Sequence, residues 1–212
     1  THGHADHASN VEIEPVDSSI LEARLARIKH AKTPIIFGLM GHYDSGLKGL
    51  QIAMKALSKI KKGMPDFRLR ILGKGTPERW TSIIHELDLE GQVKFCDPLP
   101  GGDAVMGWLD DLDIYLQPSL HEGLPRALIE AMSRGLPSLA SDAGGIDELL
   151  TPDCIHKRGN ADIFAAQILS MVNDQEKMMR CAKNNFARAQ DYKRDALQPR
   201  RHDFWQRFAK LC

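Results

Sequence analysis

Pro118-Ser119-Leu120-His121-Glu122-Gly123-Leu124-Pro125-Arg126-Ala127-Leu128-Ile129-Glu130-Ala131-Met132 decides the fold of this chain. An apolar run from Leu112 to Gln117 precedes it and reads as a strand. Residues 125–134 read as a helix, with Pro125 in the first turn, where a missing N–H costs nothing. A polar loop therefore sits where a strand ends and a helix begins. In open α/β sheets that edge is where ligands bind. Glu122 lies in the loop, and Glu130 lies about two turns into the helix.

The same alternation extends in both directions. Upstream, strands are expected at 34–40, 67–72 and 93–96, with helices at 47–60, 77–87 and 103–109 between them. Leu50, Met54 and Leu57 fall on one face of the first of these helices, and Gly63 stops it. Downstream, a fifth strand is expected at 137–140, a helical turn at 146–150, a weaker sixth strand at 153–156, and helices at 163–171 and 175–189. A last helical segment over 201–211 presents Phe204, Trp205 and Phe208. Strand and helix alternating in this way predict right-handed crossovers and an α/β fold: a parallel sheet of about six strands with helices on both faces. Residues 1–33 read as an arm followed by a short helix over 18–31, capped by Ser18 or Ser19. The domain proper spans 34–190, and 191–212 form a C-terminal helical segment.

Composition narrows the function classes. The 212 residues are 42% hydrophobic, with 28 basic and 28 acidic side chains and no net charge. The basic excess of a dedicated nucleic-acid binder is missing, although a local anion pocket remains compatible with this balance. Cys96, Cys154, Cys181 and Cys212 lie far apart, as ordinary thiols of a reducing compartment do. No apolar run approaches the length of a membrane span, and the polar N-terminus lacks a signal-peptide core. His2, His4 and His7 could catch a stray metal, but a loose arm accounts for them more simply. The missing initiator Met suggests processing or excision from something longer.

Five loops are expected at the carboxyl edge of the sheet: 38–46, 73–75, 97–100, 119–124 and 142–145. Free N–H groups at the helix starts beyond them suit a phosphate or pyrophosphate. Lys48 and Lys74 are candidates to neutralise it, or else plain surface lysines. Neither a G-x-x-x-x-G-K-S/T loop nor a G-x-G-x-x-G element occurs. A carboxylate can accept both hydroxyls of a vicinal diol, so Glu122 and Glu130 could hold a ribose and a sugar ring. Hydrolysis by a carboxylate pair is the alternative. Asp142 could cap the following turn or bind ligand, and Trp80 and Trp108 read as packing residues.

Glu122 to Glu130 resembles the E-x7-E signature of the retaining glycosyltransferases of the GT-B fold, the group 1 or family 4 enzymes. Lys48-Gly49 resembles that family's Lys-Gly pair, Gly73-Lys74-Gly75 its G-x-G turn, and Asp142-Ala143-Gly144-Gly145-Ile146-Asp147-Glu148 its D-x-G-G-x-x-E loop. The resemblance covers residues 34–190 and implies the donor-binding, Rossmann-like half of such an enzyme. It implies a catalytic set of Glu122, Lys48 and Lys74, with Glu122 on the donor sugar and Lys48 on the pyrophosphate. Glu130 would bind the ribose, and the backbone of Gly123 and Leu124 would hold phosphate or sugar oxygens. Asp97 and Leu99 would lie near the base, and Ser119, Gly41, Asp142, Gly144 and Gly145 would complete the nucleotide-sugar site.

No cofactor and no metal are implied. The donor substrate would be a nucleoside diphosphate sugar of UDP or GDP type. The acceptor would be a glycan or glycolipid, bound by an N-terminal domain that residues 1–33 cannot form. The chain alone is therefore expected to bind donor without transferring sugar. The expected compartment is the cytoplasm, with peripheral association at the inner membrane face as an option for the full-length protein. One departure is that no Arg follows Gly38, where the family often places one, so a phosphate-neutralising charge is missing or is supplied by Lys74. A sugar-nucleotide epimerase of similar fold and a non-catalytic nucleotide-binding module are the rival readings.

Overall fold

Strands β1 (Ile35–Met40), β2 (Phe67–Leu72), β3 (Val93–Cys96), β4 (Ile114–Gln117), β5 (Ser138–Ser141) and β6 (Ile155–His156) form one sheet. Their order is β3-β2-β1-β4-β5-β6, with every pairing parallel. This computed structural model describes residues 11–30 and 33–209. His2, His4 and His7, Ala31, the final three residues and the Phe208 side chain lie outside the described residues. The helices are α1 (Ser18–Lys29), α2 (Leu50–Ile60), α3 (Thr81–Glu86), α4 (Asp103–Asp110), α5 (Arg126–Ser133), α6 (Ala161–Val172), α7 (Gln175–Ala189) and α8 (Arg194–Ala209).

Pairing runs outward from β1 in both directions, so right-handed crossovers put α2 and α5 on opposite faces of the sheet. α2 packs on α6, while α5 and α1 pack on α7. The α2 face is Leu50, Ala53, Met54 and Leu57, all buried at helical spacing. The α5 face is Leu128, Ile129, Ala131 and Met132. Between them, Phe37, Leu39, Leu69, Ile71, Tyr115 and Leu116 fill the sheet layer with almost no exposure. Trp80 and Trp108 are buried packing residues, as expected.

Several boundaries differ from expectation, each for a local reason. α2 begins at Leu50 because Gly49 is left-handed, with φ 68°, and cannot continue a helix backwards. α5 begins at Arg126: Pro125 is extended, at φ −77° and ψ 107°, and supplies the carbonyl that Ile129 N–H reaches at 3.2 Å. Residues Pro77–Trp80 are a 3-10 turn that precedes α3, and Pro152–Cys154 form another that shortens β6 to two residues. The cap of α1 is Asp17, not Ser18 or Ser19; its carboxylate accepts from Ser19 N–H at 2.8 Å. α8 starts at Arg194, ahead of the expected 201. The arm is not loose at its inner end. Val11 and Ile13 are buried, and Ile13 runs beside Lys193 in a parallel bridge.

α1 also carries an unforeseen anchor. Arg24 is buried, and its guanidinium donates to the carbonyls of Leu109 (3.1 Å), Leu112 and Arg134 (3.3 Å). Burial pushes its pKa down to about 10, with Asp110 pulling the other way. Five fixed donors suit one Arg to collect the unpaired carbonyls beyond a helix end. Arg134 closes the cluster with a two-pronged pair to Asp110 at 2.7 and 2.6 Å.

Candidate active site

The loops after β1, β2, β4 and β5 are stitched together at the carboxyl edge. Leu120 N–H donates to Leu47 C=O at 2.8 Å, Tyr43 N–H to Lys74 C=O at 3.1 Å, and Gly145 N–H to Gly123 C=O at 2.9 Å. Two glycines permit the approach. A Cβ on Gly49 would lie 1.9 Å from the Pro118 carbonyl oxygen, and one on Gly144 (φ 61°) would lie 2.2 Å from that of Glu122.

Glu122 stands at the centre. Its Oε1 accepts from Lys48 Nζ at 2.8 Å, Gln117 Nε2 at 2.6 Å and Ser119 Oγ at 2.6 Å. The Glu122 side chain is 8% exposed and that of Lys48 28%. Behind it, Tyr115 O–H donates to Gln117 Oε1 at 2.8 Å, and Gln117 Nε2 also donates to Ser119 Oγ at 2.8 Å. Tyr115, Gln117 and Ser119 are spaced two apart, so an extended chain directs them to one side. Burial, helped by the fields of Glu122 and Glu130, holds the Tyr115 phenol well above its usual range. It therefore remains a donor.

Glu130 has a different setting. It is half-buried on α5, and burial raises its carboxyl pKa, with only Arg126 acting to lower it. It borders a cavity of about 1140 Å³ that Asp103, Met106, Arg126, Ser133 and Trp205 also line. Glu122 and Lys48 do not line that cavity. Trp205 is 62% exposed, so the apolar side of α8 is only partly covered. The first N–H groups of α5, from Arg126 to Leu128, have no partner within the helix and begin just past Gly123 and Leu124.

The other expected site residues divide. Gly41 packs against the Lys48 stem, where an added Cβ would meet Lys48 Cε at 2.9 Å. Lys74 is exposed on the loop after β2. Asp97 and Leu99 are exposed on the loop after β3, Leu99 to 39%. Asp142 caps no helix. Its carboxylate accepts from Arg158 N–H at 2.8 Å and Arg158 Nε at 3.1 Å, with Lys157 Nζ at 3.4 Å, and the Arg158 backbone bond chiefly lowers its pKa. Gln117 and Tyr115 are functional candidates that the sequence reading passed over. Their signal was an amide at the end of a strand buried at every position. Among the described residues, no cluster of His, Cys, Asp or Glu is placed to hold a metal ion, and no helix is long and apolar enough to cross a membrane.

Glu122, Lys48 and the start of α5 gather at the carboxyl edge of a parallel sheet, the edge where open α/β sheets bind ligands. Residues 22–188 match the family of glycosyl transferases group 1, and the chain belongs to that family. It is 35% identical over 134 residues to the amylovoran biosynthesis glycosyltransferase AmsK of Erwinia amylovora, covering 58% of this chain and 33% of AmsK. The C-terminal domain of the group 1 glycosyl transferase LpcC from Francisella tularensis superposes with a TM-score of 0.69 at 21% identity, covering 85% of this chain and 100% of that one. HepE from Anabaena, in complex with UDP and glucose, superposes with a TM-score of 0.73 at 21% identity, covering 92% and 53%. At such identities the likeness is one of fold, the Rossmann-like half of a GT-B glycosyltransferase. The chain spans less than half the length of the curated relatives it matches.

Proposed function

We propose that this chain is the donor-binding domain of a retaining glycosyltransferase of family 4, which takes a sugar from a nucleoside diphosphate of UDP or GDP type. The observation that carries the reading is the convergence on Glu122: a lysine from the loop after β1 meets a carboxylate from the loop after β4, beside the start of α5. Glu130 takes the ribose hydroxyls and Glu122 those of the donor sugar. The diphosphate lies against the open N–H groups of α5, where the helix dipole favours negative charge. Lys48 has three donors, so it can keep Glu122 and still meet a phosphate oxygen. Lys74, from the neighbouring loop, supplies the second cation.

In the reaction, the bond from the anomeric carbon to the distal phosphate oxygen breaks, and the acceptor hydroxyl oxygen bonds to that carbon from the same face. The acceptor proton passes to the leaving phosphate oxygen. Charge grows on the diphosphate as it leaves, and fixed donors aimed there lower the barrier. The acceptor, a glycan or glycolipid, is bound by a part of the protein beyond these 212 residues, because relatives run to more than twice the matched length. The chain alone therefore binds donor without turnover. The compartment consistent with this chemistry is the cytoplasm, with the full-length protein at the inner membrane face.

Thermal shift and calorimetry with UDP, GDP and ADP, and with UDP-glucose and GDP-mannose, test the reading. A ligand of the native state raises the melting temperature with concentration over Kd. No shift and no heat with every one of these probes would overturn it in favour of a non-catalytic module.

A further inference from the structure

The three side chains on Glu122 are arranged asymmetrically. Every hydrogen bond it accepts ends on Oε1, from Lys48, Gln117 and Ser119. Among the described residues none ends on Oε2. Gln117 is the element that fixes this choice. An amide side chain can turn over, exchanging its carbonyl for its NH2. Here the Tyr115 hydroxyl donates to Gln117 Oε1 at 2.8 Å, which forces both amide protons toward Ser119 and Glu122. Tyr115 is fully buried, and Gln117 is 2% exposed, so the relay lies in the sheet layer, beyond the reach of solvent. A buried amide with all of its groups paired has one orientation, because turning it would set a carbonyl against a carboxylate.

We propose that Gln117, oriented by Tyr115, is a positioning residue that holds Glu122 with Oε1 filled and Oε2 open to the hydroxyls of the donor sugar. This rests on the reading of Glu122 as the sugar anchor. The relay contributes to the grip on the sugar and nothing to the grip on the bare diphosphate. It also limits the substrate class: Oε2 is an acceptor only, so the sugar must offer a free hydroxyl donor at the position it meets.

The test measures Kd by calorimetry for UDP and UDP-glucose, and for GDP and GDP-mannose, on the 212-residue chain. The variants are Tyr115→Phe, Gln117→Leu, their double and Glu122→Ala. Loss of a charge-assisted bond that acts through Glu122 should cut the sugar-dependent gain in affinity by about three- to tenfold in either single variant. Affinity for the bare diphosphate should stay unchanged, which also reports that the variants are folded. The double variant should match Gln117→Leu alone, because Tyr115 acts only through the amide. Equal weakening of both ligands, an unchanged sugar gain in Gln117→Leu, or additive losses in the double would each overturn the proposal. If Glu122→Ala removes the gain while the relay variants keep it, the relay is wrong and the sugar anchor stands. If wild type gains nothing from the sugar of either probe, the assignment of Glu122 fails and the relay with it.

Discussion

Two carboxylates eight residues apart occupy opposite physical states. Glu122 is nearly enclosed, and the protein surrounds it with a lysine, an amide and a hydroxyl. Glu130 is half-buried beside a large cavity, its pKa raised by burial and opposed by Arg126 alone. The first is organised before any ligand arrives. The second carries a desolvation cost that a ligand hydroxyl can relieve, because a carboxylate short of donors binds new ones well. Under the proposed roles, such a site keeps its sugar end rigid and leaves its nucleotide end to be completed on binding.

The harshest way to break the comparison is to part the loops that hold Glu122. Gly49→Ala forces a Cβ to 1.9 Å from the Pro118 carbonyl oxygen, at φ 68°. The expected result is a loss of about 1–3 kcal/mol or more from backbone strain and clash, read by urea unfolding, with weakened binding of every nucleotide. Next in size is Glu130→Ala, expected to weaken bare UDP or GDP by roughly tenfold or more, as the loss of charged hydrogen bonds at about 1.5–3 kcal/mol each predicts. Calorimetry on the folded variant decides it; an unchanged Kd removes Glu130 from the nucleotide site.

Glu122→Ala sharpens the contrast. Bare diphosphate should bind almost as before, while the added grip on the intact nucleotide sugar is lost. The variant should also melt earlier, since Gln117 and Ser119 each lose an acceptor, at about 1–3 kcal/mol per buried group left unpaired. Glu130→Ala should cost no such stability. The smallest effect is the most diagnostic. A carboxyl with a raised native pKa holds its proton where the unfolded chain, at 4.5, has released it, so ionising it disfavours the folded state as pH rises. Glu130→Gln should therefore melt slightly above wild type at neutral pH. The difference should shrink toward zero as pH falls below 4.5. A variant that melts lower than wild type at pH 7 would show that Glu130 is already satisfied within the protein.

Much of this was legible in the sequence, for definable reasons. The six strands could be placed because continuous apolar runs such as Ile35–Met40 alternate with helices whose buried faces repeat every three or four residues. Lys48 and Glu122 could be placed at one edge because the loops that follow parallel strands converge there, although their ion pair was not foreseen. Three features lay beyond that reasoning. Val11 and Ile13 join the core, and Ile13 is held by backbone bonds to Tyr192 and Arg194, a pairing that no local pattern encodes. Gln117 reads as the polar end of a strand until Tyr115 and Glu122 are seen on either side of its amide. The tie of Asp142 to Arg158 depends on β6 lying next to β5, an order that the weak sixth-strand signal at 153–156 does not encode.

Arg24 has a consequence for the order of events as the chain is made. The carbonyls it collects belong to Leu109, Leu112 and Arg134, and the last of these lies 110 residues downstream. α1 is made before β4 and α5, yet it must wait for both before its guanidinium has a destination. Contacts between residues so distant in sequence close late, because the loop entropy must be overcome before they form. A hydrogen-exchange pulse during refolding should find α2 and the β1–β2 pair protected early and α1 last. α1 would then act as the latch set when the rest of the domain is complete.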